Sequence, residues 1–154
     1  MNDFREMDSR LLSYVNIFLL SNRLQTVMDK GLQEITSKQW VLLIMLGTFE
    51  VAPTLKELAD KCGITHQSTM QLVKKLADKG YLVIEEDKKD RRAIRIVFTD
   101  KRDKLADQYA EQNMWFIDNM FSDLSYEEIK IFCSAQFKLY ERLGKMAEEL
   151  KNDQ

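Results

Sequence analysis

The stretch TLKELADKCGITHQSTMQLVKKLADKGYLVIEEDKKDRRAIRIVFT, residues 54–99, decides how this chain is read. Thr54-Leu55-Lys56-Glu57 has the form of a capping box and predicts a helix running to Cys62. Leu55, Leu58, Ala59 and Cys62 share one face of it. Gly63 suits a left-handed turn that a β-carbon would strain, and Ile64 is expected to pack inward. Thr65 is placed to cap a second helix that ends at Lys79. Its buried stripe is Thr69, Leu72, Val73 and Leu76; His66, Gln67, Met70, Gln71, Lys74 and Lys75 fall on the other side. Gly80 stops it, with Tyr81 reaching back to Leu76. Strands follow over Tyr81–Glu85 and Ala93–Phe98, around a charged tip from Asp87 to Arg92. In the second strand Ile94, Ile96 and Phe98 alternate with Arg95, Val97 and Thr99, the period of one buried face. Two helices around a glycine turn form a helix-turn-helix, and the basic hairpin after it forms a wing.

The residue types suit a duplex. A helix fits the DNA major groove, and its exposed N-terminal residues reach base edges. Gln67 and Gln71 can donate and accept toward adenine, His66 and Ser68 can bond bases or phosphates, and Met70 can touch a thymine methyl. Lys74 and Lys75 would lie nearer the phosphates, as would the N-terminal amides and hydroxyls of Thr36, Ser37 and Thr65. The tip Asp87-Lys88-Lys89-Asp90-Arg91-Arg92 carries four bases in six residues, and an Arg there can enter a narrow minor groove. Asp90 is expected to fix the Arg92 guanidinium by a bidentate pair. The plainer readings are a solvated helix face and a merely soluble hairpin tip.

Net charge is −2, which does not advertise nucleic-acid binding, but its distribution does. Residues 54–99 hold ten Lys/Arg against seven Asp/Glu; the rest holds 13 against 18. At 154 residues the chain is long enough for one well-buried domain. One proline and five glycines favour a mostly helical fold. The longest apolar run, Val41–Leu46, is far short of a membrane span, no signal peptide opens the chain, and two cysteines make no disulfide framework. A cytoplasmic protein is expected, with no membrane partner.

Outward from the central stretch, Asn2 to Lys30 reads as one long helix. Phe4, Met7, Leu11, Tyr14 and Phe18 form a heptad seam, widened by Leu12, Val15, Leu19 and Leu20. Such a helix must bury two faces, one on its own domain and one on another subunit, unless it is a core helix alone. Gly31 is its expected stop. Thr36-Ser37-Lys38-Gln39 fits a capping box for the next helix, with Trp40, Leu43, Ile44 and Leu46 toward the core and Gly47 weakening its end. Val51-Ala52-Pro53 is at most an edge strand that could pair beside the wing. Thr99 is expected to cap a helix from Asp100 to about Phe121. Ser125-Tyr126-Glu127-Glu128 opens the last one, to about Leu150, with Ile129, Phe132, Cys133, Ala135, Leu139, Leu143, Met146 and Leu150 as its apolar residues.

The run Leu55-Lys56-Glu57-Leu58-Ala59, Gly63-Ile64-Thr65, Leu72-Val73-Lys74-Lys75-Leu76, Lys79-Gly80-Tyr81-Leu82-Val83 and Asp87-Lys88-Lys89-Asp90-Arg91-Arg92 resembles the MarR (multiple antibiotic resistance regulator) family. That family's wing pattern is D-x-R-D-x-R. Asp87, Asp90 and Arg92 match it, and Lys89 stands where the family usually has Arg, which keeps the charge but weakens a bidentate role. The helix order matches over nearly the whole chain. The resemblance implies a single mainly α domain with a small β-wing (α+β). Within it, 1–34 is an N-terminal dimerisation helix, 35–99 a winged helix-turn-helix DNA-binding lobe and 100–154 the C-terminal dimerisation helices. It also implies a triangular homodimer with interlocking end helices. Such a protein is a repressor, less often an activator, of nearby genes, binding a near-palindromic double-stranded operator. It is often released by a small-molecule effector or an oxidant.

In that family effectors commonly sit between the dimerisation helices and the DNA-binding lobe. Matching stretches here supply Tyr14, Phe18, Trp40, Ile44, Met114, Trp115 and Ile117, which suit a hydrophobic or aromatic ligand. The simpler reading, and the favoured one, is ordinary core. A metal site is disfavoured: His66 is the only histidine and the two cysteines lie in different helices. Redox sensing by Cys62 or Cys133 ranks below burial. No cofactor is expected. No phosphate loop, nucleophile elbow or metal-ligand cluster is present in the sequence, so an enzyme is not expected. The competing function is a winged-helix module that binds protein and not DNA.

Overall fold

Local signals start most of the helices. The computed structural model describes residues 8–88, 90 and 92–152; Phe4, Met7, Lys89 and Arg91 lie outside the described residues. Among them the order is α1 (Ser9–Gly31), α2 (Ser37–Gly47), α3 (Leu55–Cys62), α4 (His66–Asp78), β1 (Leu82–Glu86), β2 (Ile94–Phe98), α5 (Lys101–Met120) and α6 (Tyr126–Asn152). The chain divides into two compact units, Met1–Val97 and Phe98–Gln154. The fold is mostly helical with one small antiparallel two-stranded sheet, as expected from the sequence.

In the first unit α1 buries no residue fully. Leu12, Val15, Leu24 and Met28 are half-buried, while Leu11, Tyr14 and Phe18 of the expected seam are exposed. The helix stops at Gly31, as expected. It is the last helical residue, and Leu32, with φ −89° and ψ 118°, ends the helix while its amide still donates to the Met28 carbonyl at 3.0 Å. No reversal of φ is needed there.

The Thr36 capping box is formed: Gln39 N–H donates to Thr36 Oγ1 at 3.3 Å and Thr36 N–H to Gln39 Oε1 at 3.0 Å. The core face of α2 is rotated from the expected one. Gln39, Leu42, Leu43 and Leu46 are buried, Trp40 is half-buried and Ile44 is exposed. The six-residue apolar run 41–46 has no polar residue to set its phase, which is why the sequence misleads. Val51-Ala52-Pro53 is not a strand. Its contribution to the sheet is one antiparallel bridge between Thr54 and Arg95 and a 3.0 Å bond from Ile96 N–H to the Pro53 carbonyl.

Both turn glycines act as the sequence indicates. Gly63 has φ 65° and Gly80 φ 78°, the only positive-φ residues among those described. At each, two bonds close the helix end: Gly63 N–H to Asp60 O and Ile64 N–H to Ala59 O, both 3.2 Å, then Gly80 N–H to Ala77 O at 2.8 Å and Tyr81 N–H to Leu76 O at 3.0 Å. Ile64, expected to pack inward, is exposed; its amide is engaged but its side chain is not covered. Leu58, Val73, Leu76, Tyr81, Leu82 and Ile96 make the buried centre. In β2 only Ile96 is fully buried, with its neighbours half-buried on both faces, so the expected alternation is blunted.

At the start of α3, Glu57 Oε2 accepts from Thr54 N–H at 2.7 Å and from Thr54 Oγ1 at 2.9 Å, and Glu57 N–H returns a bond to Thr54 Oγ1 at 3.2 Å. The Thr54 amide first, and then its hydroxyl, hold the Glu57 carboxyl below its usual pKa. A depressed folded-state pKa means stability that is present above the unfolded carboxylate value and lost as pH falls through the folded one. Thr54→Ala is therefore expected to cost about 1 kcal/mol at neutral pH, with the gap to the parent shrinking once Glu57 protonates. Denaturant unfolding of both proteins at neutral and acid pH checks this; a gap independent of pH would contradict it.

In the second unit Asp100, not Thr99, occupies the N-cap position of α5, and its side chain makes no capping bond. Leu105 and Tyr109 are buried. The Ser125 box is formed, with Ser125 N–H and Oγ donating to Glu128 Oε2 at 2.8 and 2.7 Å. From Lys130 to Leu150 every residue of α6 is exposed.

Candidate nucleic-acid interface

The expected recognition face sits on α4. Thr65 caps it, its Oγ1 accepting from Ser68 N–H at 3.1 Å and donating to Ser68 Oγ at 2.9 Å. The Thr65 hydroxyl is thereby used within the cap, while the Ser68 hydroxyl, which accepts there, keeps its own proton to donate beside His66, Gln67 and Gln71. All three are exposed, as are Thr65, Ser68, Lys74 and Lys75; Met70 is half-buried. Thr69, Val73 and Leu76 hold the opposite side in the core, and Leu72 is half-buried. Thr69 Oγ1 donates to the Thr65 carbonyl at 3.0 Å, which lets a hydroxyl be buried without penalty.

The start of α2 departs from expectation. Thr36 is exposed, but Ser37 is 3% exposed, with no hydrogen-bond partner for its Oγ. Its amide is already donated to Asp29 Oδ1 at 2.6 Å. A phosphate cannot reach that hydroxyl, and a carboxylate of α1 already holds that amide. No local pattern signals this, because Asp29 lies in another helix.

The wing is built around Asp87 rather than Asp90. Asp87 N–H donates to Ala93 O at 3.0 Å and closes the hairpin. One carboxylate oxygen of Asp87 accepts from Asp90 N–H at 2.8 Å, and the other pairs with Arg95 Nε. Arg95 Nη1 also donates to the Ala52 carbonyl, so one guanidinium joins the wing to the segment before α3. Asp87 is 4% exposed and the Arg95 side chain 32%. Asp90 spends its carboxylate on the turn, accepting from the Arg92 main-chain amide at 3.0 Å. The expected Asp90–Arg92 ion pair is absent among the described residues, and the fixed guanidinium is Arg95. Arg92, Lys88 and Asp90 are exposed at the tip. The missed pair is a diagonal one across the hairpin; it becomes visible only once the Asp87–Ala93 register is known.

The seven residues proposed to line a pocket divide between the units. In the first, Tyr14 and Phe18 are exposed and meet edge to face at 5.4 Å between ring centres, Ile44 is exposed and Trp40 half-buried. In the second, Met114, Trp115 and Ile117 are exposed. Ordinary core, the favoured reading of these residues, does not describe six of the seven. Cys62 is half-buried, and that burial pushes its thiol pKa up, away from a reactive thiolate; Cys133 is exposed. Among the described residues no cluster of His, Cys, Asp and Glu could hold a metal, and no helix is long and apolar enough to cross a membrane.

Residues 33–93, which contain α2 to α4, β1 and the tip of the wing, match the sequence model of the MarR family. No curated protein matches the chain by sequence. Among solved structures it is similar to a MarR protein from Peptoclostridium difficile, at 21% identity, with 94% of each chain covered and a TM-score of 0.79. It is similar to a MarR family transcriptional regulator from Streptomyces coelicolor solved in complex with DNA, at 19% identity, 93% of each chain and TM-score 0.79. It is also similar to an organohalide-sensing transcriptional regulator solved in its 2,4-dichlorophenol-bound form, at 18% identity, 95% of this chain, 88% of that one and TM-score 0.82. Residues 33–93 thus carry the sequence match to the MarR family, and the chain shares the winged-helix fold of solved MarR-family regulators.

Proposed function

We propose that the chain is a homodimeric, sequence-specific regulator that binds a near-palindromic duplex and acts as a repressor in the cytoplasm. Residues 35–99 hold the DNA, with α4 in the major groove and the wing in the minor groove; residues 1–34 and 100–154 pair the two copies. The observation that carries this is one lobe presenting two tools: the exposed His66, Gln67, Gln71, Lys74 and Lys75 on α4, and a basic tip on a hairpin braced by Asp87 and Arg95. The regulator from Streptomyces coelicolor, solved with DNA, supports it by likeness of fold. Release by a hydrophobic or aromatic molecule fits the exposed Tyr14, Phe18 and Trp115, and one similar regulator is solved with a chlorinated phenol.

Selection of bound fragments from random duplex tests the function, followed by titration of the winning duplex against Arg92→Ala. The variant is expected to bind about 10- to 100-fold more weakly, with a salt slope shallower by about one per protomer. Gln67 and Gln71 variants should alter base preference more than slope. Parent affinity in Arg92→Ala would remove the wing from the interface.

A further inference from the structure

The connection between α1 and α2 is held from two directions. On the α2 side, Asp29 Oδ1 accepts from Ser37 N–H at 2.6 Å, and Ile35 is buried. On the other side, Glu34 is tied to the far end of α4: its main-chain carbonyl accepts from Lys79 Nζ and its carboxylate accepts from the Tyr81 hydroxyl. Lys79 is the C-cap of α4, and Tyr81 stands just past Gly80, its own N–H bonded to Leu76 O at 3.0 Å and its side chain 1% exposed. The Tyr81 phenol is thus a rigid lever fixed to the end of α4, and the partner at its tip is 47 residues away in sequence, next to α1.

We infer that Glu34 and Tyr81 are positioning residues for DNA binding. With Lys79 they form a strut that sets the angle between α1 and the recognition helix. Core packing alone does not require the polar tip, since a phenyl ring would fill the same space. A hydrogen bond to a carboxylate adds direction, which packing between apolar surfaces lacks. The inference rests on the proposed dimer: if α1 joins the copies, the strut fixes how far apart and at what tilt two α4 helices meet the duplex. Half-site spacing is the quantity such geometry controls.

The test is random-duplex selection with the full chain and with Tyr81→Phe, Glu34→Ala and Glu34→Gln, each also followed by thermal unfolding. The parent is expected to select one half-site spacing. Tyr81→Phe and Glu34→Ala are expected to keep the parent's half-site sequence, accept neighbouring spacings, and bind the parent's duplex about five- to tenfold more weakly, the worth of one net hydrogen bond. The double variant Tyr81→Phe with Glu34→Ala should be no weaker than either single one, because both remove the same bond. Glu34→Gln keeps an oxygen acceptor and should restore the parent's spacing. The strut role is overturned if Tyr81→Phe and Glu34→Ala keep the parent's spacing and affinity. It is also overturned if spacing and half-site sequence blur together in step with lost thermal stability. A parent that retains no duplex overturns the DNA-binding reading itself, and the strut role with it.

Discussion

Arg95→Ala is expected to lower the stability of the protein by about 3 kcal/mol. Asp87 is almost fully buried, and Arg95 is its charged partner. Removing the guanidinium leaves a carboxylate in the interior with its charge uncompensated by Arg95, and also removes the donor held by the Ala52 carbonyl. Breaking a buried ion pair from one side costs roughly 3–5 kcal/mol; the partial exposure of Arg95 puts this case at the low end. For a chain of this size the melting temperature should fall by about 6–12 °C. Asp87→Asn in the Arg95→Ala background should recover part of the loss, because the amide oxygen can still accept from Asp90 N–H without a charge to desolvate. Calorimetry of the three proteins checks this. A melting temperature unchanged in Arg95→Ala would mean that the pair is not formed in solution, and the wing would need another brace.

Leu139→Glu combined with Leu143→Glu is expected to convert a dimer into single chains. The two leucines lie one turn apart on α6 and both are exposed in the isolated chain. So are Phe137, Tyr140, Met146 and Leu150 on the same helix, an apolar extent that soluble monomers rarely present to water. Burying a leucine is worth about 1.5–3 kcal/mol, and a symmetric interface counts each substituted position twice, so about 6–12 kcal/mol is at stake before the added charges are desolvated. Sedimentation should give the parent twice the 18.2 kDa chain mass and the variant one. A parent sedimenting as a single chain would rule out the proposed pairing.

The elements that were legible in the sequence are those whose signals are local. Thr36, Thr54 and Ser125 each form the box that their spacing indicates, and Gly63 and Gly80 take the left-handed conformation that only a residue without a β-carbon adopts easily. What was misread depends on partners distant in sequence. The phase of α2 is set by what packs on it, since Val41–Leu46 is apolar all round. Ser37 is claimed by Asp29 from another helix, and the wing guanidinium is fixed by Asp87, eight residues away across the hairpin. The exposed polar face of α4 was readable from helical spacing. The strut from Glu34 to Tyr81 was not, because no periodicity joins an interhelical loop to a residue beyond the next three helices.

DNA binding by this lobe is tested by the salt dependence of its affinity for a selected duplex. A reader that grips phosphates on two half-sites releases condensed counterions, so log affinity should fall steeply and linearly with log salt, with a slope of about −0.9 for each phosphate neutralised. A slope of several units is expected for the parent and a shallower one for Arg92→Ala. No retention of any duplex at low salt, together with stoichiometric capture of a protein partner by the same lobe, would contradict it.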